Sequence, residues 1–295
     1  MKLFTKRNLG IIVFVVAAVI FCISRLSYFN KSLEPIDELN VVFVDVGQAD
    51  CEIIRFPDGR NVIIDAGKND TEKELVKKLK EYGFEKFDIA VATHPHEDHI
   101  GGMDAVIDNF EIGCIYMPDA SSNTDIFNDM LDSIEDKNVK VVKAKAGVKV
   151  IDEENINMMF VAPNSVSYEE TNDYSAVLRL TYGERSFLFT GDAEAVSEKE
   201  MLKNGMDLSA DVLKVGHHGS STSSTEKFIE KVNPEYAIIE VGEDNSYGHP
   251  HEEILERLRK TKIYRTDIHG DITVECNGVD IKITTENREG KNDKS

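Results

Sequence analysis

Seven of the eight histidines fall into three groups. His94, His96 and His99 lie within six residues, His217 and His218 are adjacent, and His249 and His251 flank Pro250, leaving only His269 alone. A single histidine is more often a surface or core residue than a ligand, but imidazoles gathered beside carboxylates are costly without a cation. The densest run is THPHEDHIGG over 93–102, and it follows a short apolar stretch. In an extended segment residues two apart share a face, so His94 and His96 can converge on one metal. Asp98 and His99 come as the chain turns into a helix, and can face a second metal beside the first. Gly101-Gly102 permits a tight turn and close packing. Nitrogen and carboxylate donors without thiolate suit zinc, manganese or iron.

Further motifs follow in order: Asp65 in IIDAG, Asp192 in the TGD that ends SFLFTGD, and His217 in VGHHGS after DVLK. Together with the 93–102 run they resemble the metallo-β-lactamase superfamily, whose signature is HxHxDH at a strand end. The resemblance implies that Asp65 closes the second strand pair, that Asp192 bridges two metals and that His217 is the last histidine ligand. Within the superfamily, the likeness is to the extracellular hydrolase domain of the competence protein ComEC. It is carried by FVDVGQAD (43–50), NDYSAVLRLTYGERSFLFTGDAE (172–194), DVLKVGHHGS (211–220), NSYGHPH (245–251) and YRTDIHGDITV (264–274), and covers about 40–285. It does not extend to the many-helix channel of that protein. One departure stands out. The superfamily places a histidine ligand between the first cluster and the bridging aspartate, and here no histidine lies between His99 and His217. Asp173 stands in that region, either as an oxygen ligand beside His94, His96 and Asp192 or as a turn residue ahead of a strand.

The resemblance implies two divalent transition metals, zinc with manganese as the alternative, and a hydroxide held between them at neutral pH. Asp98 can orient that nucleophile as well as bind metal. Lys214 is a candidate to neutralise a phosphate, and His218, Ser220, Tyr247 and His249 are candidates for substrate contact or leaving-group protonation. His251, at a first helical turn, has a supporting or capping role. With His217 the ligand that the resemblance implies, His218 is read as a catalytic neighbour that holds no metal, because adjacent side chains on an extended segment point apart.

The elements that must position these residues are legible in the pattern. Apolar runs at 41–46, 51–56 and 61–67, punctuated by GQAD and Pro57-Asp58-Gly59, read as strands and a hairpin. Residues 71–82 read as a charged amphipathic helix closed by Gly83. The run 88–93 is a nearly all-apolar strand, as expected where both sheet faces are covered, and a helix over 102–110 follows. Residues 119–155 carry weak signals. A second hairpin spans 175–182 and 186–190, after which strand, loop and helix alternate at 211–232, 236–260 and from 263. The fold expected is α+β, a four-layer αββα metallo-β-lactamase-like sandwich of two mixed sheets with outer helices, plus one N-terminal membrane helix.

That last element rests on Lys2, Lys6 and Arg7 ahead of the uninterrupted apolar run 9–23. Residues 1–30 therefore read as an uncleaved signal anchor, 31–39 as a linker, 40–285 as the hydrolase domain and 286–295 as a polar tail. The basic flank puts the N-terminus inside and the domain outside, a single-pass cell-membrane protein, with a secreted form after signal cleavage as the alternative. None of the four cysteines forms a CxxC pair, which argues against a zinc knuckle or disulfide framework. Of the 295 residues, 54 are acidic and 34 basic; residues 1–31 hold five basic and no acidic side chains, leaving the rest at −25. Such a field excludes a protein that grips nucleic acid by overall positive charge. The expected function is membrane-anchored, extracytoplasmic hydrolysis of phosphodiesters, on single-stranded DNA or an envelope phosphodiester. The alternatives are a lactone or thioester hydrolase and a non-catalytic accessory subunit of DNA uptake working with a separate channel. No obligate protein partner is evident.

Overall fold

The computed structural model describes residues 36–286. The N-terminal anchor and the polar tail from residue 287 lie outside the described residues, and among those described no helix is long and apolar enough to cross a membrane.

Two large mixed sheets carry the fold. From edge to edge the first runs Ile281–Thr285, Ile272–Cys276, Leu39–Phe43, Glu52–Arg55, Asn61–Ile64, Ile89–Val91, Cys114–Met117 and Lys140–Lys143. Its first five strands pair antiparallel, and from Asn61–Ile64 onward pairing is parallel. The second runs Lys262–Arg265, Tyr236–Ile239, Val212–Lys214, Arg185–Phe189, Leu178–Tyr182, Ile156–Phe160 and Lys149–Asp152, with its first four strands parallel. The weakly patterned 119–155 region resolves into the helix Asp125–Asp136, capped by Thr124, and two short strands.

Three apolar cores separate four layers. Val41, Phe43, Ile54, Val62 and Val91 of the first sheet meet Met158, Phe160, Leu178, Phe187 and Phe189 of the second. The other face of the first sheet, including Ile53, Ile63 and Ala90, is covered by Leu75, Leu79, Met103, Val106, Phe127 and Met130 from helices. Leu188, Leu213 and Ala237 of the second sheet are covered in the same way by Met201, Phe228 and Ile254. The strand Ile89–Val91 shows why its sequence is apolar throughout: Ala90 enters one core and Val91 the other.

The parallel strands place the chemistry. Asp65 follows Asn61–Ile64, His94 follows Ile89–Val91, Asp192 follows Arg185–Phe189, and His217-His218 follow Val212–Lys214. All leave the carboxyl ends of their strands, where open sheets of this kind form their ligand crevices.

Close packing beneath the histidine run depends on Gly101. A Cβ there would lie closer than van der Waals contact to the backbone of Asn69 and Lys68, and 2.5 Å from the Glu97 carbonyl oxygen. Overpacking against main chain costs about 1–3 kcal/mol. Gly101→Ala should therefore lower Tm by about 3 °C or more in thermal unfolding followed by circular dichroism, and an unchanged Tm would show that the helix Glu97–Ile100 can shift away from its neighbours.

Candidate metal centre

His94 and His96 leave the strand end in extended conformation, and His94 Nε2 lies 3.0 Å from His96 Nδ1. Their convergence follows from the spacing of two. His94 is buried, its Nδ1 3.2 Å from Thr93 Oγ1 and 3.3 Å from Ser175 Oγ. Burial, reinforced by His99, holds its pKa well below the ordinary imidazole value, so its ring is neutral and free to coordinate.

Asp98 and His99 sit on the one-turn helix Glu97–Ile100. Asp65 accepts from the Thr93 N–H at 2.8 Å and from Thr93 Oγ1 at 2.6 Å, and it holds His99 Nδ1 at 2.6 Å. That contact puts the ring proton on Nδ1 and leaves Nε2 for a cation. His99 Nε2 is 3.2 Å from Asp192 Oδ2. Burial opposes protonation of His99, but Asp192, Asp65 and Asp50 outweigh it and raise its pKa well above normal. Asp192 is buried between imidazoles; burial alone would raise its pKa, and His99 and His218 reverse this and hold it well below the carboxylate range.

The paired histidines differ from the sequence expectation. His217 and His218 both have positive φ, 51° and 53°, within a single 3-10 turn. The alternation of an extended strand therefore does not apply, and His218 turns inward. It is buried, with Nε2 3.4 Å from Asp98 Oδ2 and 3.9 Å from Asp192 Oδ2. Its Nδ1 is 2.9 Å from the Glu240 carbonyl oxygen. Asp98, His99 and His218 thus form one group whose donor atoms lie within 4.8 Å of one another, and His94, His99 and Asp192 form another. His217 lies on the open side, with Nε2 3.6 Å from Asp192 Oδ2 and Nδ1 3.2 Å from Glu194 Oε1. The place beside Asp98 and His99 read for His217 belongs to His218.

Burial corrects the expectations for Lys214 and Ser220, and a hydrogen bond resolves the two readings left open for Asp173. Lys214 does not reach the cleft: it is fully buried and ion-paired to Asp50. Asp173 is not part of either group; its Oδ1 accepts from the Ser197 N–H at 3.0 Å, in the first turn of Ala195–Asn204, the turn role rather than the ligand role. Ser220 is buried, with Oγ 3.1 Å from Thr222 Oγ1, and offers the substrate little. His251 occupies the N-cap position of Glu252–Arg257 without a side-chain capping bond; its Nδ1 instead accepts from the Ser221 N–H at 2.9 Å, a supporting role. Tyr247 is 62% exposed and stacks on His249 at 5.6 Å. The His249 pKa falls to about 4 through burial and then through His217 and His218, so this ring is neutral at pH 7. Asp50, Glu52 and Glu240 were not singled out in the sequence, although each is a charged residue in or beside an apolar strand. All three are buried.

The chain's own donors fit divalent cations. His99 Nε2, His218 Nε2 and Asp192 Oδ1 are buried without hydrogen-bond partners, and buried polar atoms are rarely left so. Asp192 lies within 4 Å of His99, His217 and His218, the position required of a ligand shared between two ions. His218→Ala should lower metal content and affinity more than His217→Ala, beyond the about 10–100-fold typical of losing a ligand's supporting bond. Metal analysis and chelator competition on the full chain read this; the reverse order would return the ligand role to His217.

A family model described as the metallo-beta-lactamase superfamily matches residues 44–242. The ComE operon protein 3 of Bacillus subtilis (strain 168) is 30% identical over 254 residues, covering 80% of this chain and 33% of its own. The competence protein ComA of Neisseria gonorrhoeae is 29% identical over 257 residues, covering 86% and 34%. The chain thus spans about a third of the length of these curated relatives. Among solved structures, the metallo-beta-lactamase fold protein YhfI from Bacillus subtilis superposes with a TM-score of 0.55 at 14% identity, over 81% of this chain and 99% of its own. With two thirds of its length matched and the histidine–aspartate groups at the strand ends, the chain belongs to the metallo-β-lactamase superfamily.

Proposed function

We propose that this protein is a metal-dependent phosphodiester hydrolase, anchored in the cell membrane by its N-terminal apolar segment with the domain outside. The observation that carries the reading is the convergence of His99 Nε2 and His218 Nε2, both buried without hydrogen-bond partners, on the buried Asp192 carboxylate at the strand ends. His94, His96 and Asp192 would hold one cation, and Asp98, His99, His218 and Asp192 the other. His217, on the open side and facing Asp192, stands closest to the role of the missing middle histidine. Zinc suits these donors best, with manganese next. When bound, such a pair supplies Lewis acidity and a water acidic enough to react at neutral pH.

The remaining work falls to the chain. Asp98 Oδ2 lies 3.4 Å from His218 Nε2, and despite burial its carboxyl is held below the usual carboxylate range, chiefly by His218 and His99, so it can orient a nucleophilic water. Neutral His249 offers one ring N–H donor to a phosphate oxygen or departing alkoxide, and exposed Tyr247 lies on its outer side. An acyl substrate would need an apolar channel. The apolar space behind His94, lined by Met117, Pro118, Phe127 and Met130 among others, has a volume of about 10 Å³. That is room for about one water molecule, which favours a phosphodiester over a lactone or thioester with a long chain. The name of the Neisseria gonorrhoeae relative, a competence protein, supports DNA as the substrate, alongside an envelope phosphodiester, and would equally suit an accessory subunit of an uptake channel.

Turnover separates these readings. The full chain loaded with zinc or manganese should hydrolyse bis-p-nitrophenyl phosphate and single-stranded DNA faster than a panel of lactones and thioesters. Asp192→Ala should reduce that rate by more than about 100-fold, more than the loss of a supporting contact costs. Moderate salt should raise the rate on single-stranded DNA by screening the acidic domain. Lactone turnover without phosphodiester turnover would overturn the substrate class, and metal binding without turnover of any of them would favour the accessory role.

A further inference from the structure

We propose that Asp50 is a positioning residue for the second metal group, tying together three of its ligands from below. Residue 50 lies in the loop between Leu39–Phe43 and Glu52–Arg55 and is fully buried. Its N–H donates to the Asp98 carbonyl oxygen at 3.0 Å, and its own carbonyl accepts from the Gly67 N–H at 2.9 Å. Its carboxylate Oδ1 is 3.2 Å from His218 Nδ1, and Oδ2 is 3.6 Å from His99 Nδ1. One loop residue between two strands of the first sheet therefore touches Asp98 and His99 on its own side and His218 from the second.

The chemistry of the contact is specific. With Asp50 and the Glu240 carbonyl both facing His218 Nδ1, the ring proton must reside there. The lone pair that a cation would take is then the one on Nε2, the atom that faces Asp98 and Asp192 without a partner. A carboxylate at this place fixes ring orientation and increases ligand basicity. A buried carboxylate also requires a counter-ion, and Lys214, the one lysine among the fully buried large side chains described, ion-pairs with Asp50. This gives Lys214 a role that its burial denied it as a phosphate ligand. The pair also joins the sheets, since Lys214 ends the second-sheet strand Val212–Lys214 and the Cys51 N–H donates to Glu240 Oε1 at 3.2 Å.

The inference rests on the metal-centre reading but not on the substrate. The test uses Co²⁺ alone as the probe, with the full chain as wild type, Asp50→Asn and Asp50→Asn/Lys214→Met. Asparagine keeps the main-chain bonds and removes the carboxylate; the double variant also removes the lysine charge that would otherwise be stranded. A folded variant of either kind should bind Co²⁺ about 10–100-fold more weakly in chelator competition, with an altered visible absorption band, while the metal-free double variant keeps a Tm near that of wild type. Wild-type affinity and spectrum in a folded variant would overturn the proposal. So would failure of both variants to fold, which would make Asp50 a structural strut. Wild type that takes up no Co²⁺ would bring down the metal-centre reading and this inference with it; Co²⁺ binding without phosphodiester turnover would leave the inference standing.

Discussion

Asp50, Asp65 and Asp192 are buried within reach of His99, in a region where an uncompensated charge costs several kcal/mol. The architecture around the strand ends answers that cost. Lys214 compensates Asp50, His99 compensates Asp65 and Asp192, and His218 compensates Asp98 and Asp50. The protons on His99 and His218, both held above the ordinary imidazole pKa by these carboxylates, supply positive charge at the positions where divalent cations would supply it. A metal centre is in this sense the charge-balanced state that the buried carboxylates call for.

The two sheets are what make such a density of charge possible. Each contributes parallel strands ending at the same side, so short loops can present His94, Asp65 and Asp192 with little unsupported backbone. Thr93 and Ser175 hold His94 from two sheets, and Ser175 Oγ also accepts from the Asp192 N–H at 3.1 Å. The site is thus a seam between halves of the sandwich, and its geometry depends on how the central core of Phe43, Phe187 and Phe189 packs. A fold of this kind tolerates different chemistries, because substrate choice resides in the rim rather than in the layers. Here the rim is His217, Tyr247 and His249, with exposure rising outward.

Much of this was legible in the residues. The spacing of His94 and His96, the turn into Asp98-His99 and the apolar strand before them needed only local rules: a period of two in extended chain, and glycine where backbones approach. The hairpins at 175–190 and 51–67 and the helix over 71–82 appeared close to their predicted bounds because their patterning is local and strong. The region 119–155 was opaque because its two strands are only four residues long and lie at the sheet edges with mostly exposed residues, which removes the alternation that marks a strand; its helix, with Phe127, Met130 and Ile134 on one buried face, carried a pattern that sequence reasoning missed.

By itself the sequence determined the superfamily, the histidine–aspartate clusters and the paired-sheet class, since all three are carried by residue type and short-range spacing. Only the tertiary structure decided which of His217 and His218 faces inward, because their left-handed backbone cancels strand alternation. It also decided that Lys214 is a buried counter-ion, that Asp173 supports a helix and that Asp50 touches three ligands. The physical reason is that burial and ion pairing join residues far apart in the chain, 164 positions in the case of Asp50 and Lys214, and no local pattern records which distant partner will fill the space beside a charge.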